Sequence, residues 1–306
     1  MAGGQERILR RRIRSVQSTR KITKAMELIA ASRIVRAQNR IVANRPFREG
    51  MERVLRLTAA ADPAAAQRLL GTPESPRHVG VLAVAGDRGL AGSYNSGVVR
   101  ATERLVAEHK ANGVEVTTWA VGRKAAAQFR FRGIEAASSF TGLADGPEFA
   151  DARHIATVVA APFLAGDIDL IQMVSTRFVS AGSQRVETTQ MLPLPLPESQ
   201  DEEDAEAPAA QGGTLEGYTE FEPEPEKLLV ELAPRALESE IFAALLEGAA
   251  AFFTAQQRAM AAATDNADEL VRTLSRVMNR VRQDAITTEI MEIVGGAEAL
   301  RQAKGD

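Results

Sequence analysis

Two long stretches near the ends of the chain carry apolar or small residues at the three- and four-residue spacing of a helix. The N-terminal stretch predicts a long helix that contains Pro46, with a slip in its stripe near residue 31. Its stripe comprises Ile22, Met26, Ile29 or Ala30, Ile34, Ala37 and Ile41. The C-terminal stripe has the alternating four-three spacing of a heptad seam with one polar position, Gln256. It comprises Phe242, Leu246, Ala249, Phe253, Gln256, Met260, Ala263, Ala267, Leu270, Leu274, Val277 and Val281.

The expected length of the C-terminal helix implies a partner for it. No proline interrupts the sequence between Pro234 and the Gly295-Gly296 pair. A helix of about 60 residues is roughly 90 Å long, which exceeds the width of a compact domain of this size. We therefore expect an N-terminal helix over residues 1–60 to pack as a coiled coil with a C-terminal helix over residues 235–306. The alternative is a bundle of shorter helices with a break at Gly248.

The central region, residues 77–197, changes period. The runs HVGVLAV and VEVTTWAV are typical of short buried strands, and each is followed by a glycine loop and a helical stretch. The later runs DLIQMVSTRFVS and QRVETTQML also predict strands. This alternation predicts a Rossmann-like open α/β domain with mainly parallel strands that ends in an antiparallel hairpin. The fold class is thus α/β plus long helices.

The formal net charge of −3 conceals two opposite poles. Residues 1–48 hold thirteen Arg or Lys against Glu6 and Glu27, which gives +11, whereas residues 198–226 hold eleven acids and no base. The acidic stretch, low in hydrophobicity, predicts a mobile acidic loop. The basic stretch could bind nucleic acid or form a solvated helix face. It has no aromatic residue before Phe47 that could stack on a base, which argues against nucleic acid.

The residues offer little for catalysis or metal binding. The chain has no cysteine and three scattered histidines, which excludes a thiolate nucleophile and a cysteine metal site. In VAGDRGLAGSYN, the residues Gly86, Gly89 and Gly92 approach but do not match the dinucleotide fingerprint, and Asp87 would oppose a phosphate there. We expect no catalytic residue, cofactor or metal, and we interpret this turn as a structural or partner-contact loop led by Arg88.

Three motifs together resemble the gamma subunit of the F-type rotary, proton-translocating ATP synthase. They are IRSVQSTRKITKAMELIAASRIVRAQ, DRGLAGSYN, and AATDNADELVRTLSRVMNRVRQDAITTEIMEIVGGAEAL, in that family's order. The resemblance implies an antiparallel coiled coil of the terminal helices, inserted in a ring of alternating alpha and beta subunits. It also implies an α/β domain at the foot, with the epsilon subunit on the membrane-embedded c ring. Such a chain is a non-catalytic rotor subunit that couples proton-driven rotation to ATP synthesis or hydrolysis in the beta subunits.

The same resemblance implies contact residues. Met26 would lie near an acidic lever loop of a beta subunit, and Arg33, Arg36 and Arg88 would form an ionic track. A beta-subunit catch loop would be hydrogen-bonded by Arg282, Gln283 and Thr287. For Met26 the alternative is a position in the coiled-coil seam, because it falls in the apolar stripe.

The resemblance also implies partners and a location. We expect a 3:3:1 complex of alpha, beta and this chain, with epsilon and the c ring, and without nucleic acid. The chain would lie on the cytoplasmic side of a bacterial plasma membrane and associate with it only through the complex. The competing hypothesis is a stand-alone α/β nucleotide-binding protein with coiled-coil arms, which predicts that the isolated chain binds a nucleotide through residues 86–92.

Overall fold

A computed structural model of the chain describes residues 2–71, 73, 75–143, 146–195 and 221–303. Most of the predicted acidic loop, residues 198–220, therefore lies outside the described residues. The chain forms two compact units. The helical unit comprises Met1–Ala31 and Gln256–Asp306, and the sheet unit comprises Ser32–Ala255.

Helices and strands alternate between two very long terminal helices, as the sequence predicts. In chain order the elements are α1 (Ala2–Ala61), α2 (Pro63–Leu70), β1 (His78–Val84), α3 (Tyr94–Ala111), β2 (Glu115–Val121), α4 (Arg123–Phe131), β3 (Ala136–Phe140), α5 (Phe149–Leu164), β4 (Leu170–Phe178), β5 (Gln184–Leu192) and α6 (Pro225–Ala303).

Helix α6 is longer than its sequence pattern indicates. It begins at Pro225, and proline is favoured at the first helical position because its missing N–H has no partner there in any case. It continues through Pro234, after which we expected it to begin, and through the Gly295-Gly296 pair. Gly248, the proposed break, also lies within it. The alternative of several shorter helices is therefore wrong.

In the helical unit α1 and α6 run antiparallel, because Thr23 pairs with Thr264 while the earlier Arg20 pairs with the later Asp268. The two threonine hydroxyl oxygens are 2.8 Å apart and buried, and Arg20 Nε lies 2.6 Å from Asp268 Oδ1. The Thr264 hydroxyl also contacts the Met260 carbonyl oxygen of its own helix at 2.9 Å. The seam thus contains a polar layer.

The buried stripe of α1 differs from the one we expected. Ile22 and Ile29 are 58% and 53% exposed, whereas Thr23 and Ala30 are buried. Buried positions on α1 continue from Ala30 to Ile34 and Ala37 at four- and three-residue steps. The predicted slip near residue 31 is therefore wrong. Our pattern followed the most hydrophobic side chains, whereas the packing follows the heptad.

The sheet unit contains a five-stranded sheet, within the described residues, in the order β3-β2-β1-β4-β5. The first four strands are parallel, and β4 and β5 form the expected antiparallel hairpin. The short strand β3, with the sequence AASSF, and helix α5 were not predicted. Only Phe140 of β3 is fully buried, so this edge strand has no apolar run to identify it.

Alternate residues of the central strand β1 face two different cores. Val79, Val81 and Ala83 pack with residues of α3 and α4. Leu82 and Val84 pack on the other side with residues of α5, α1 and α6. The long helices therefore supply part of the layer that covers one face of the sheet.

A buried carboxylate at the end of β1 ties three strand ends together. Asp87 accepts the backbone N–H of Arg123 and that of Gly142, each at 3.0 Å, and its side chain is 5% exposed. Gly122 has a φ of 94°, and a Cβ there would lie 2.4 Å from the Ala85 carbonyl oxygen, so the β2–α4 turn requires glycine. These loops therefore form one braced edge.

A second polar cluster joins both long helices to the hairpin. The Arg48 guanidinium of α1 donates to both carboxylate oxygens of Glu240 on α6, at 2.9 and 3.1 Å. Glu247, about two turns further along α6, accepts the backbone N–H of Phe178 at 3.1 Å. Burial raises the pKa of Glu247, although the Phe178 N–H and the Arg48 and Arg177 cations oppose that shift.

The Asp87 brace predicts a large effect of a small chemical change. Asp87→Asn replaces one carboxylate oxygen with an amide nitrogen that cannot accept an N–H and removes the negative charge, so one hydrogen bond to Arg123 or Gly142 is lost and the other is weakened. We expect the free energy of unfolding to fall by about 1–3 kcal/mol. Chemical denaturation followed by circular dichroism measures it. Asp167→Asn changes an exposed acid and should stay within about 0.5 kcal/mol of the unsubstituted chain. Equal effects of the two variants would contradict this role of Asp87.

The raised pKa of Glu247 predicts a pH dependence of stability. The folded chain holds the Glu247 proton more tightly than the unfolded chain, so this contribution is full below the unfolded pKa and is lost as the pH rises through the folded pKa. Glu247→Gln stays neutral and can still accept the Phe178 N–H. We expect its free energy of unfolding, relative to that of the unsubstituted chain, to increase as the pH rises from about 4, the pKa of an unperturbed glutamate.

Glu231→Gln removes an exposed carboxylate from the same helix and is the matched control for the loss of one negative charge. A relative stability of Glu247→Gln that decreases as the pH rises would contradict the prediction.

Candidate functional site

Arg33 and Arg36, two of the predicted contact residues, line one cleft of about 300 Å³ in the sheet unit. The Arg33 guanidinium carbon lies 5.3 Å from the centroid of the Phe253 ring, a cation–π distance, and Arg36 is exposed. The floor of the cleft is apolar and comes from Leu246, Ala249 and Phe253 of α6. The Phe253 ring therefore holds the Arg33 guanidinium in place, whereas Arg36 is exposed to solvent.

Arg40 lines the same cleft and was not among the predicted contact residues. Its guanidinium donates to the carbonyl oxygen of Pro147, in the segment before α5. This hydrogen bond holds the Arg40 side chain against the segment before α5. The lining of the cleft contains three arginines and no acid. Because guanidinium groups pair with carboxylates through charge-assisted hydrogen bonds, this arrangement favours an acidic partner.

The glycine-rich loop between β1 and α3, residues 85–93, carries the third predicted cation, Arg88, which is exposed. Asn95 braces the loop: its side-chain oxygen accepts the Gly86 N–H at 2.8 Å and its amide donates to the Arg88 carbonyl oxygen at 2.9 Å. A Cβ on Gly86 would lie 3.0 Å from the Phe252 ring. Glycine therefore allows the loop to approach α6 closely.

Apolar packing connects this loop to the helices that carry the other cations. Ala91 and Tyr94 form one buried cluster with Ile34 of α1 and with Phe252 and Phe253 of α6. The rings of Tyr94 and Phe252 meet edge to face at 5.5 Å. Burial raises the pKa of Tyr94 above its usual range, so the phenol stays neutral. The structure thus sets Arg33 and the Arg88 loop on the same cluster.

The geometry of this loop disfavours a nucleotide. A phosphate held by this loop would lie at the N-terminus of α3, the helix that follows it, and the negative charge of Asp87 in the same loop opposes an anion there. The side-chain oxygen of Asn95 already accepts the Gly86 N–H, which is therefore not available to a phosphate. Gly86 instead serves close packing against Phe252.

The remaining predicted contacts lie in the helical unit, in two separate places. Met26 is half-buried, close along α1 to the buried Thr23 and Ala30, which is compatible with both roles that the sequence allowed. Arg282, Gln283 and Thr287 are exposed on α6. Since Thr23 faces Thr264 and α6 rises about 1.5 Å per residue, Arg282 lies roughly 27 Å further along that helix. The predicted contacts at Met26 and from Arg282 to Thr287 therefore lie in two separate places on the helical unit.

The sequence did not predict the backbone conformation of one residue in this loop, but it did predict the burial of one residue of α6 beside the cleft. Leu90 is 62% exposed with a φ of 62°, and nothing in its local sequence indicates this left-handed conformation. Phe253, which supports Arg33, was expected to be buried because it falls in the heptad stripe of α6. It is 2% exposed.

Within the described ranges, no three histidine, aspartate or glutamate side chains are grouped as metal ligands would be. Nor does any helix in that part of the chain combine the length and hydrophobicity needed to cross a membrane. The candidate site in the sheet unit therefore consists of the arginines that line the cleft, the apolar floor of the cleft, and the loop that carries Arg88.

Comparisons with known proteins agree over almost the whole chain. The ATP synthase family model matches residues 5–300. The ATP synthase gamma chain of Parafrankia sp. (strain EAN1pec) is 46% identical over 301 residues, which cover 97% of this chain and 98% of that protein. The gamma chain of Saccharopolyspora erythraea is 42% identical over 314 residues, with 98% of each chain covered.

Solved structures share the fold. A chain of the Euglena gracilis mitochondrial ATP synthase matches with a TM-score of 0.67 and 17% identity, over 99% of this chain and 96% of that one. A chain of the Tetrahymena thermophila mitochondrial ATP synthase, from a structure of its central stalk and c ring, matches with a TM-score of 0.59 and 21% identity, over 79% and 99%. With relatives above 40% identity over nearly its full length, the chain belongs to the ATP synthase gamma chain family.

Proposed function

We propose that this gamma chain is the central-stalk rotor subunit of an F-type ATP synthase. In this role it couples proton-driven rotation of a c ring to the conformational cycle of the catalytic beta subunits, and it carries no catalytic group itself. The observation that carries the proposal is the match to gamma chains over 97% of the chain, because it includes both long helices and the sheet.

The packing of the helices supports a role in transmitting torque. In the sheet unit, Phe149 of α5 meets Phe47 of α1 and Phe242 of α6 edge to face, at 6.3 and 5.5 Å. The bidentate Arg48–Glu240 pair joins α1 directly to α6. Each buried apolar side chain contributes ~1.5–3 kcal/mol, so a long seam of them resists separation of the helices.

The surface charge supports contacts that can be exchanged during rotation. A shaft that meets one subunit after another cannot have a single deep, sticky patch. Exposed ion pairs are worth only ~0–1 kcal/mol each, so cations such as Arg36 and Arg88 can leave one acidic partner and meet the next. Met26, Arg33, Arg282, Gln283 and Thr287 complete the proposed set of contacts with beta-subunit loops.

The proposed partners follow from this role. The chain would join three alpha and three beta subunits, and its sheet unit would lie with an epsilon subunit on the c ring. Its location would be the cytoplasmic face of a bacterial plasma membrane, which it would reach through the complex. The similar Euglena gracilis chain comes from a structure of F1 with the c ring, and the Tetrahymena thermophila chain from a structure of the central stalk and c ring, which supports this proposal.

Co-expression with its own alpha and beta subunits tests the proposal directly. We expect the tagged chain to purify as a 3:3:1 complex by native mass spectrometry, and the complex to hydrolyse ATP while the isolated chain does not. The isolated chain should also bind no ATP by calorimetry. A chain that stays alone, or that binds ATP by itself, would favour the stand-alone nucleotide-binding protein.

Met26→Lys tests the proposed contact near the beta-subunit lever loop. A lysine there should form a new ion pair with the acidic loop, which makes the contact harder to exchange as the shaft turns. We expect membranes with the complete enzyme to pump at least about twofold fewer protons per ATP hydrolysed. Met26→Leu keeps an apolar side chain and should pump normally. Normal pumping in Met26→Lys would count against the contact.

A further inference from the structure

A cavity of about 430 Å³ lies in the sheet unit, lined by the two long helices and by strand β5 with the residues that follow it. Its volume falls in the range of small-molecule sites, roughly 300–1,000 Å³. Helix α1 contributes Met51 and Leu55 to the lining, β5 contributes Met191, and α6 contributes Ala236 and Ser239. The cavity therefore joins apolar and polar side chains from three elements.

The apolar part of the lining suits an aliphatic molecule. Leu55 and Met191 are buried, and so is Leu194 just after β5. Met51 packs on the same core. Methionine side chains are flexible and polarisable, so two of them on different elements can adjust to apolar groups of different shapes.

Ser239 adds a buried hydroxyl to this lining. The residue is 1% exposed, and its Oγ has no hydrogen-bond partner among the described residues. An unpaired polar group in the interior costs free energy, and native proteins therefore pair nearly all of them. An oxygen atom of a ligand in the cavity would give the Ser239 hydroxyl a partner.

Arg56 lines the same cavity and is exposed, and the acids of the lining are engaged elsewhere. Glu52, four residues before Arg56 on α1, pairs instead with Arg48, whose Nε lies 3.3 Å from Glu52 Oε1. Glu240 also pairs with Arg48, through both carboxylate oxygens. The Arg56 guanidinium is therefore available to an anionic group.

We propose that this cavity binds an amphipathic carboxylate, a small molecule with an aliphatic body and one carboxylate group. The aliphatic body would lie against Met51, Leu55 and Met191. The carboxylate would accept hydrogen bonds from the Ser239 hydroxyl and the Arg56 guanidinium, and charge-assisted hydrogen bonds are stronger than neutral ones. The rotor function proposed above does not require such a ligand, so this inference goes beyond that function and does not depend on it.

Methyl NMR of the full chain tests the proposal, with decanoate as the probe. The chain contains eight methionines, so carbon-13 labelling of their methyl groups gives a simple spectrum. We expect decanoate, kept below its micelle concentration, to shift the signals of Met51 and Met191 saturably and to leave that of Met260, in the helical unit, in place. Met51→Leu and Met191→Leu assign the two signals. Unmoved Met51 and Met191 signals, or an equal shift of Met260, would overturn the proposal.

Charge distinguishes a carboxylate site from an apolar pocket. Decylammonium has a similar aliphatic chain and the opposite charge, and it should bind at least about threefold more weakly than decanoate. Arg56→Gln should weaken decanoate binding about three- to fivefold, the size of one exposed ion pair. Arg53→Gln removes an exposed arginine of the same helix that does not line the cavity, and it should leave the affinity unchanged. Equal affinities for the two probes, or equal effects of the two variants, would contradict a carboxylate site.

Ser239→Ala separates binding from folding. The alanine removes a buried hydroxyl that lacks a partner among the described residues, so the thermal midpoint should be unchanged or higher. The affinity for decanoate should nevertheless fall at least about threefold, because one hydrogen bond to the carboxylate is lost. Ser175→Ala changes a buried serine of β4 outside the lining and is the matched control. An unchanged affinity in Ser239→Ala would overturn the assignment of the hydroxyl to the ligand.

The segment of this chain that begins after Pro195 is the competing occupant, because Pro195 lines the cavity and the segment contains acids. Replacement of residues 198–220 by a short Gly-Ser linker should leave the decanoate affinity unchanged. An affinity that rises at least about threefold would show that the segment occupies the cavity, and it would overturn the proposal. These titrations use the isolated chain, whereas assembly with alpha and beta tests the rotor function, so the two can fail separately.

Discussion

Each of the long helices α1 and α6 buries one narrow stripe of side chains against the other, and this antiparallel pairing constrains the remaining features. In the helical unit the stripe includes Ala30, Thr23, Thr264 and Ala267. Small side chains let the helix axes approach, and the paired threonine hydroxyls fix which residues meet. A seam so narrow leaves most of both helices exposed, and that surface is then available to partners.

The same two helices become part of the core in the sheet unit. Leu237 and Ile241 of α6 are buried in one cluster with Leu82 of β1 and Ile155 of α5. A sheet with parallel strands must be covered on both faces. Here α3 and α4 cover one face, and the long helices share the other with α5. Loss of the helix pair would therefore expose half of the core of the sheet.

The cations of the sheet unit depend on this arrangement for their positions. The ring of Phe253 in α6 supports Arg33 of α1. The loop of Arg88 rests on Phe252 and is braced by Asp87 and Asn95. Arg33 and Arg88, which lie far apart in the sequence, are thus held beside the buried rings of Phe252 and Phe253, and Arg88 also lies close to Leu90 with its positive φ. Rigid support of this kind lowers the entropy lost when a partner binds.

The sequence by itself determined the class of the fold, because hydrophobic periodicity depends on local geometry. The strand runs of β1, β2, β4 and β5 were recognisable in this way. The heptad seam was expected from Phe242 to Val281, but its positions are all buried or half-buried only as far as Ala267, because Leu270 and Val277 are 46% and 45% exposed. The motifs at both ends and in the glycine-rich loop also identified the family. The proposed contact residues came from those motifs and remain predictions, although the structure places Arg33 and Arg36 at one cleft.

Tertiary structure decided the features in which the local pattern competed with packing. Thr23 is buried and Ile22 exposed because the register of the helix pair, and not the hydrophobicity of each residue, selects the inward positions. The polar strand β3 forms because the β2 edge offers it backbone hydrogen bonds. Leu90 adopts a left-handed conformation in a loop that Asp87 ties to the N–H groups of Arg123 and Gly142, and that packs on Phe252. Such interactions join residues far apart in sequence, which no local pattern contains.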